Sequence, residues 1–212
     1  MFKPIKSQKI NENLYAIKTL FVNSFVYDTG KSLIVFDTGI NELIAKRELK
    51  KLNIDYNKVT HVFLTHSDYD HVAGLSLFKN AKKYISKQEE PLITRKKARR
   101  FIMYNRKIKN YIAMQENNIA NIDGVSIKII YAPGHTIGSA MYSIDEKILI
   151  TGDTITIASN NEIRNFSFVQ NMSHAQNKKT VKNLKEQKFF GKFNLIATGH
   201  HGVLINGKKY RK

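Results

Sequence analysis

The sequence predicts a mixed α/β fold, of the α/β or α+β class, and two observations support this prediction. Apolar runs of strand length alternate with stretches whose apolar residues recur at helical spacing. The second half of the chain then shows the same kind of strand and helix pattern as the first. With 212 residues, of which 42% are hydrophobic, the chain is large enough to bury a core, so we expect a single domain over residues 1–212.

The first half begins with strands. Alternating or continuous apolar runs predict strands at residues 14–19, 24–27 and 33–36, and residues 28–31 form the turn between the last two. A helix follows near residues 42–52, because Ala45, Leu49 and Leu52 fall on one helical face. The apolar run at 59–64 is the next strand, and the order strand, helix, strand implies parallel pairing there.

The middle of the chain carries a basic segment. A short helix near 72–78 and a strand near 83–85 lead into residues 88–116, which we interpret as a helical insertion. No acid lies between Pro91 and Gln115, and the cations there are Arg95, Lys96, Lys97, Arg99, Arg100, Arg106, Lys107 and Lys109. They belong either to a solvated helix whose aromatic face packs on the protein, or to a lid that attracts an anionic substrate.

The second half is again read as strands and a helix. Apolar runs predict strands at residues 125–131, 140–143, 147–151 and 193–197. A helix is expected from Ser173, a residue type favoured at the N-cap, towards residue 187.

Composition limits the cellular setting and the partners. The start of the chain lacks an apolar stretch long enough for a signal peptide, and no later segment has the length of a membrane-spanning helix, so we expect a cytoplasmic protein without a membrane partner. The formal net charge of +18 would suit nucleic acid. Since the lysines are scattered, we interpret the charge as a compositional bias and do not expect a nucleic-acid partner.

The segment 65–71, Thr-His-Ser-Asp-Tyr-Asp-His, is the strongest chemical signal in the chain. It places two histidines and two carboxylates directly after an apolar strand. Imidazole and carboxylate groups are the donors that bind zinc, iron or manganese. The absence of cysteine removes thiolate from the candidate ligands. The segment therefore predicts a metal site.

Four further motifs accompany this cluster: Phe-Asp-Thr-Gly at 36–39, Ala-Pro-Gly-His-Thr-Ile-Gly-Ser at 132–139, Thr-Gly-Asp-Thr at 151–154 and Thr-Gly-His-His-Gly at 198–202. In order and spacing, the five motifs resemble those of the metallo-β-lactamase fold superfamily of hydrolases. The resemblance implies a four-layer αβ/βα sandwich, with metal ions at one edge between the two sheets on loops that follow strands.

The resemblance also implies roles for individual residues. It assigns His66 and His135 to a first metal ion, it assigns Asp70, His71 and His200 to a second, and it makes Asp153 the carboxylate that bridges them. We name Asp70 and Asp153 as the catalytic carboxylates.

Other polar residues receive weaker assignments. We expect Asp37 to order the loops beneath the metals by hydrogen bonding, as its counterpart in the family does. His201 could contact substrate or replace His200 as a ligand. His61 is expected to be a hydrogen-bonded core residue, and His174 a surface residue at the start of a helix.

Asp68 departs from the family pattern, because it lies where the family usually has a second histidine. The flavodiiron proteins, which resemble this fold, carry a glutamate there. An added carboxylate favours harder ions such as iron or manganese over zinc. Asp68 could bind the first metal directly, reach it through a water molecule, or leave the first site weak and the protein effectively mononuclear.

The sequence therefore predicts a metal-dependent hydrolase that holds two divalent ions, with zinc preferred and iron or manganese as alternatives. A shared metal-bound hydroxide would attack an ester, thioester, lactone, amide or phosphodiester bond of a small-molecule substrate, for which an anion is one candidate. Two alternatives come from other classes: a diiron redox enzyme, suggested by Asp68, and an RNA-binding or RNA-processing nuclease, suggested by the basic segment.

Overall fold

The computed structural model describes residues 2–210 and contains two seven-stranded sheets. The first sheet follows chain order across its width. Its strands are β1 (Gln8–Lys9), β2 (Leu14–Thr19), β3 (Val22–Asp28), β4 (Leu33–Phe36), β5 (Val59–Leu64), β6 (Lys82–Ser86) and β7 (Tyr111–Met114). Strands β1 to β4 pair antiparallel, whereas β4 to β7 pair parallel.

The second sheet comes from the later part of the chain, which also forms a two-stranded ribbon of β12 and β13. The strands are β8 (Ile119–Ile122), β9 (Val125–Tyr131), β10 (Ala140–Ile144), β11 (Ile148–Ile150), β12 (Ile155–Ile157), β13 (Ile163–Asn165), β14 (Leu195–Ala197), β15 (Val203–Ile205) and β16 (Lys208–Lys209). Across the sheet the order is β16-β15-β14-β11-β10-β9-β8, and β11 pairs parallel with β14.

In the described part of the chain, four α-helices accompany the sheets: α1 (Glu42–Lys51), α2 (Tyr69–Val72), α3 (Glu90–Ile93) and α4 (His174–Glu186). The side chain of Asn41 caps α1 by accepting from the backbone N–H groups of Leu43 and Ile44. Ser173 caps α4 in the same way, accepting from the N–H of Gln176, as the sequence predicts. A 3-10 helix, Ala73–Phe78, continues from α2.

The alternating strand residues separate the core into three layers. Phe36 and Phe63 point between the two sheets, where they meet Tyr142 of the second sheet. Val35, next to Phe36, faces the opposite way and packs with Leu49 of α1. On the far side of the second sheet, residues such as Met141, Leu149 and Ile196 pack with Val181 of α4. Helix, sheet, sheet and helix thus form the four layers that the resemblance implies.

The predicted helical insertion at about 88–116 is wrong. Helical structure there is limited to α3 and a preceding 3-10 helix, Lys87–Glu89, while Tyr111–Met114 is strand β7. Residues 94–110 form turns and irregular backbone. One of the two alternatives assumed an aromatic face packed on the protein, but Phe101 is 98% exposed. The buried side chains of this segment include Arg99 and Asn105, whose polar partners lie elsewhere in the chain; such tertiary contacts override helical propensity.

Among residues 2–210, helices long and apolar enough to span a lipid bilayer are absent.

Candidate metal centre

Loops that follow four strands bring the predicted donors together. His66 lies just after β5, and Asp70 and His71 lie in α2, which begins immediately afterwards. The other donors follow β9, β11 and β14. Each of the predicted donors belongs to at least one of three groups whose ligand atoms lie within 4.8 Å of one another. The groups are His66, His71 and Asp153; His66, Asp68 and His135; and Asp70, His71 and His200.

Asp153 lies between the histidines of this cluster. Its Oδ2 is 3.1 Å from Nε2 of His200 and 3.6 Å from Nε2 of His135, and its Oδ1 is 3.4 Å from Nε2 of His71. Asp70 lies beside one of these rings, with its Oδ2 3.3 Å from Nε2 of His200. Several lone pairs therefore converge on a small volume.

The four histidines of the donor groups each use Nδ1 for a contact outside the cluster. Nδ1 of His71 lies 2.8 Å from Oδ2 of Asp37, and Nδ1 of His200 lies 2.7 Å from the carbonyl oxygen of Phe21. The remaining two contacts join His66 Nδ1 to Thr65 Oγ1 at 3.0 Å and His135 Nδ1 to Asn171 Oδ1 at 3.3 Å. Because these partners can accept the Nδ1 proton, the Nε2 lone pairs are oriented towards the cluster, as in metal sites.

The donor set fits a divalent metal ion. Nε2 of His66 and Oδ1 of Asp153 are buried and have no hydrogen-bond partner within the described residues. Buried polar atoms are rarely left without a partner, and an ion can serve as that partner. Nitrogen donors from imidazole and oxygen donors from carboxylate are the combination expected for zinc and for other transition metals.

Glycines allow two of the loops that carry donors to pack closely against their neighbours. A Cβ atom on Gly199 would lie 2.5 Å from Oδ1 of Asp153 and 2.8 Å from Cε1 of His71. Gly134 has a φ of +137°, and a Cβ atom there would lie 2.4 Å from the backbone of Asn177 in α4. A side chain at position 199 would collide with the donors, and one at position 134 would collide with the first turn of α4, so both loops require glycine there.

Burial and charge set the protonation of the donors. Burial lowers the pKa of His66 well below its usual range, so this imidazole is neutral. Burial alone would raise the pKa of Asp153, but the neighbouring His200 and His71 outweigh it and hold that pKa well below its usual range. Although burial opposes it, the carboxylates of Asp153 and Asp70 raise the pKa of His200 to about 9. The carboxylates thus attract positive charge to this pocket.

A cavity of about 360 Å³ opens on the cluster. Besides five of the donors it is lined by Tyr69, Arg99, Arg100, Met103, Tyr104, Asn105, Arg106 and Gln170. The irregular segment 94–110 therefore forms part of the cavity wall and contributes arginines to it. A larger cavity, of about 640 Å³, lies against Phe190 and Phe193 and contains none of the donors.

The remaining predicted residues have distinct positions. Asp37 is buried and accepts hydrogen bonds from the N–H and hydroxyl of Thr65, in addition to its contact with His71. His201 is half-buried, packs edge-on against Phe166, and belongs to none of the donor groups. His61 lies in β5 with its ring beside Tyr84, and His174 opens α4.

Sequence reasoning missed several residues that contact the site, and Arg99 and Glu89 are the most important of them. Arg99 forms an ion pair with Asp68; the sequence shows it only as one cation in a basic run. Glu89 is fully buried and accepts hydrogen bonds from Ser67, Thr136 and Gly138, which join the loops that carry Asp68 and His135. A single glutamate outside any motif gives no sequence signal for such a role.

Comparison with known sequences identifies one family. Residues 17–200 match the family described as the metallo-beta-lactamase superfamily. A probable metallo-hydrolase of Methanocaldococcus jannaschii is 26% identical over 177 residues, covering 82% of this chain and 74% of that protein. An atrochrysone carboxyl ACP thioesterase of Pseudocercospora fijiensis is 28% identical over 140 residues, covering 63% of this chain. The match spans only 37% of the length of that thioesterase.

Further similarity extends to a bacterial hydrolase and to solved structures. A probable polyketide biosynthesis zinc-dependent hydrolase of Bacillus velezensis is 30% identical over 59% of this chain and 50% of its own length. A subclass B3 metallo-beta-lactamase of Bradyrhizobium japonicum superposes with a TM-score of 0.72 and 17% identity, covering 93% of this chain and 78% of that chain. At this identity the structural similarity shows a shared fold.

Proposed function

The chain belongs to the metallo-beta-lactamase superfamily, and from that premise we propose that it is a divalent-metal-dependent hydrolase of a small-molecule ester, thioester, lactone, amide or phosphodiester. The observation that carries the proposal is the convergence of four imidazoles and three carboxylates, five of which line a cavity of about 360 Å³. The side chains that offer these donor atoms are His66, Asp68, Asp70, His71, His135, Asp153 and His200.

Zinc is the ion we propose, because four imidazoles dominate the donor set and the Bacillus relative carries a name that includes zinc dependence. When bound, a divalent ion lowers the pKa of coordinated water and polarises the oxygen of the bond to be cleaved. Serine or cysteine nucleophiles are not needed for this chemistry, and the chain has no cysteine.

The protein's own residues supply proton handling and orientation. The side chain of Asp70 is 22% exposed, lines the cavity and lies beside His200, so it is placed to accept a proton from the attacking water. Asp153 is 4% exposed and contacts three histidines, which suits it to hold the donor set together. Asp37 keeps the ring of His71 in position.

The lining of the cavity supports the proposal that the substrate is anionic. Arg99, Arg100 and Arg106 line it together with Tyr69 and Tyr104, so both positive charge and apolar ring surface face the space above the donors. Carboxylate and phosphate groups are the usual partners of arginine in such clefts. Thioesters belong in the first set of test compounds, because one relative is named as a thioesterase.

The test is hydrolysis of a panel of esters, thioesters, lactones, β-lactams and phosphodiesters before and after chelation. We expect at least one class to be hydrolysed, the activity to be lost with the metal, and zinc to restore it. Hydrolysis that is indifferent to the chelator would contradict the proposal.

Metal analysis of protein purified without added metal, together with an absorption spectrum, separates zinc from the diiron redox alternative, which requires iron and visible bands.

A further inference from the structure

Asp68 is held by an arginine on the cavity side of the cluster. Nε of Arg99 donates to Oδ1 of Asp68 at 2.7 Å, and Nη2 donates to Oδ2 at 2.9 Å. This two-point geometry is the strongest form of an arginine–carboxylate contact. Asn105 donates to the same Oδ1 at 3.2 Å, and the carbonyl of Gln170 accepts from Nη2 of Arg99 at 2.7 Å. The Arg99 guanidinium is therefore held by the Asp68 carboxylate and by the Gln170 carbonyl.

The guanidinium also lies against a second donor of the same group. Its Nη2 is 3.4 Å from Nε2 of His135, and Nε2 of His135 is 3.0 Å from Oδ2 of Asp68. The Arg99 side chain is only 9% exposed. A buried cation thus engages two of the three donors in the group formed by His66, Asp68 and His135. A metal ion placed there would face repulsion from this cation and would have to displace it from Asp68.

The donors around His71 are different. Nε2 of His71 lies 3.4 Å from Oδ1 of Asp153, 3.4 Å from Nε2 of His200 and 3.9 Å from Oδ2 of Asp70. These contacts join histidines and carboxylates of the cluster, and the salt bridge of Arg99 is made to Asp68 instead. Their lone pairs can be used by an ion without breaking an arginine–carboxylate pair.

We propose that the Arg99 guanidinium takes the place of one metal ion in this fold, so that the chain binds a single divalent ion at the donors around His71. The inference rests on the proposed function only in requiring that the cluster binds metal. Nη1 of Arg99 is buried and has no hydrogen-bond partner within the described residues. Other atoms of Arg99 line the cavity, so its positive charge lies beside the space where a substrate oxygen would bind, which is part of the electrostatic stabilisation that a second ion would provide.

Zinc stoichiometry tests the proposal without measuring activity. Metal-free protein is titrated with zinc by isothermal calorimetry, and the bound metal is counted by native mass spectrometry. We expect one ion per chain in the wild type and two in Arg99→Ala, because the freed Asp68 can then join His66 and His135. Arg100→Ala is the matched control: it removes a neighbouring cation that bonds to the carbonyl of Asn171, not to Asp68, and should still bind one ion.

Two ions in the wild type, or one ion in Arg99→Ala that retains the wild-type circular dichroism spectrum, would overturn the proposal. A pair of histidine variants decides the question even if Arg99→Ala fails to fold. His71→Ala should abolish zinc binding, whereas His135→Ala should leave the count at one; loss of an ion in His135→Ala would also contradict the proposal. A wild-type protein that binds no zinc would refute the proposed function itself.

Discussion

Asp37 connects two segments of the candidate metal centre through a single side chain. Its carboxylate accepts from the backbone and hydroxyl of Thr65, just after β5, and contacts Nδ1 of His71 in α2. Its own backbone has a φ of +55°, which aspartate tolerates better than most residues. The residue therefore fixes both the backbone before the donor cluster and the ring of one donor.

Replacing Asp37 by asparagine should weaken metal binding without removing a donor. The amide has one acceptor oxygen in place of two, so it loses either the contact with Thr65 or the one with His71. Loss of such a contact typically costs roughly 10–100-fold in metal affinity, and a chelator-competition titration with zinc measures it. Asp123→Asn is the control, because exposed Asp123 contacts the hydroxyls of Thr29 and Ser32. An unchanged zinc affinity in Asp37→Asn would show that Asp37 does not orient the donors.

Glu89 joins the loops that carry Asp68 and His135, as Asp37 joins the backbone after β5 to α2. Its Oε1 accepts from the N–H and hydroxyl of Ser67 at 2.9 and 2.6 Å, and its Oε2 accepts from Thr136 and from the N–H of Gly138 at 2.7 and 2.9 Å. Four donors thus point at one buried carboxylate.

Glu89→Gln should destabilise the protein, because the amide NH₂ would face donors that need an acceptor. A buried donor left without its partner costs roughly 1–3 kcal/mol, which urea denaturation followed by circular dichroism can resolve. Glu90→Gln is a matched control at the next position, since the half-buried carboxylate of Glu90 accepts from the hydroxyl of Tyr111, which an amide oxygen can also accept. Equal stability of the two variants would contradict this account of Glu89.

At the level of elements, buried strands were the most predictable. The runs at 14–19, 33–36, 59–64 and 125–131 coincide with β2, β4, β5 and β9, because each is bounded by turn residues and is apolar enough to lie between layers. Short strands such as β12 and β13 were missed, since three-residue segments carry too little pattern. The segment 94–110 was misread because its structure depends on contacts made by Arg99 and Asn105 with distant residues.

The loop after β14 offers a test at this scale. Gly199→Ala would place a methyl group within 2.5 Å of Oδ1 of Asp153 and 2.8 Å of Cε1 of His71, so we expect zinc binding to be lost or strongly reduced. Gly191→Ala is the control, because a Cβ atom there meets nothing within 4 Å. Calorimetric titration of both variants measures the difference. Wild-type zinc affinity in Gly199→Ala would mean that the loop does not approach the donors as closely as described.

For the whole molecule, the five motifs predicted which residues converge, although they are spread from Asp37 to His200. The order and spacing of the motifs along the chain made this prediction possible. The residues that hold the donors in place were not predictable: Arg99 is 31 positions from Asp68, and Glu89 is 49 positions from Gly138. Such pairings exist only once the two sheets have packed, and neither residue stands in a motif.

The net charge of +18 is also a property of the whole chain. We expect RNA to bind only weakly, with an affinity that falls steeply as salt rises and is lost near a physiological ionic strength of about 0.15 M. Fluorescence anisotropy with a labelled RNA at several salt concentrations measures this. Saturable binding that persists at that ionic strength would favour the nucleic-acid alternative.

The central claim is that the convergent side chains bind a metal ion, and anomalous scattering from crystals grown with zinc tests it most directly. The account predicts an anomalous peak within about 2.0–2.2 Å of Nε2 of His71 and of a carboxylate oxygen of the cluster, the distances usual for zinc. Well-diffracting crystals without such a peak, or with the histidine rings turned away from one another, would contradict it.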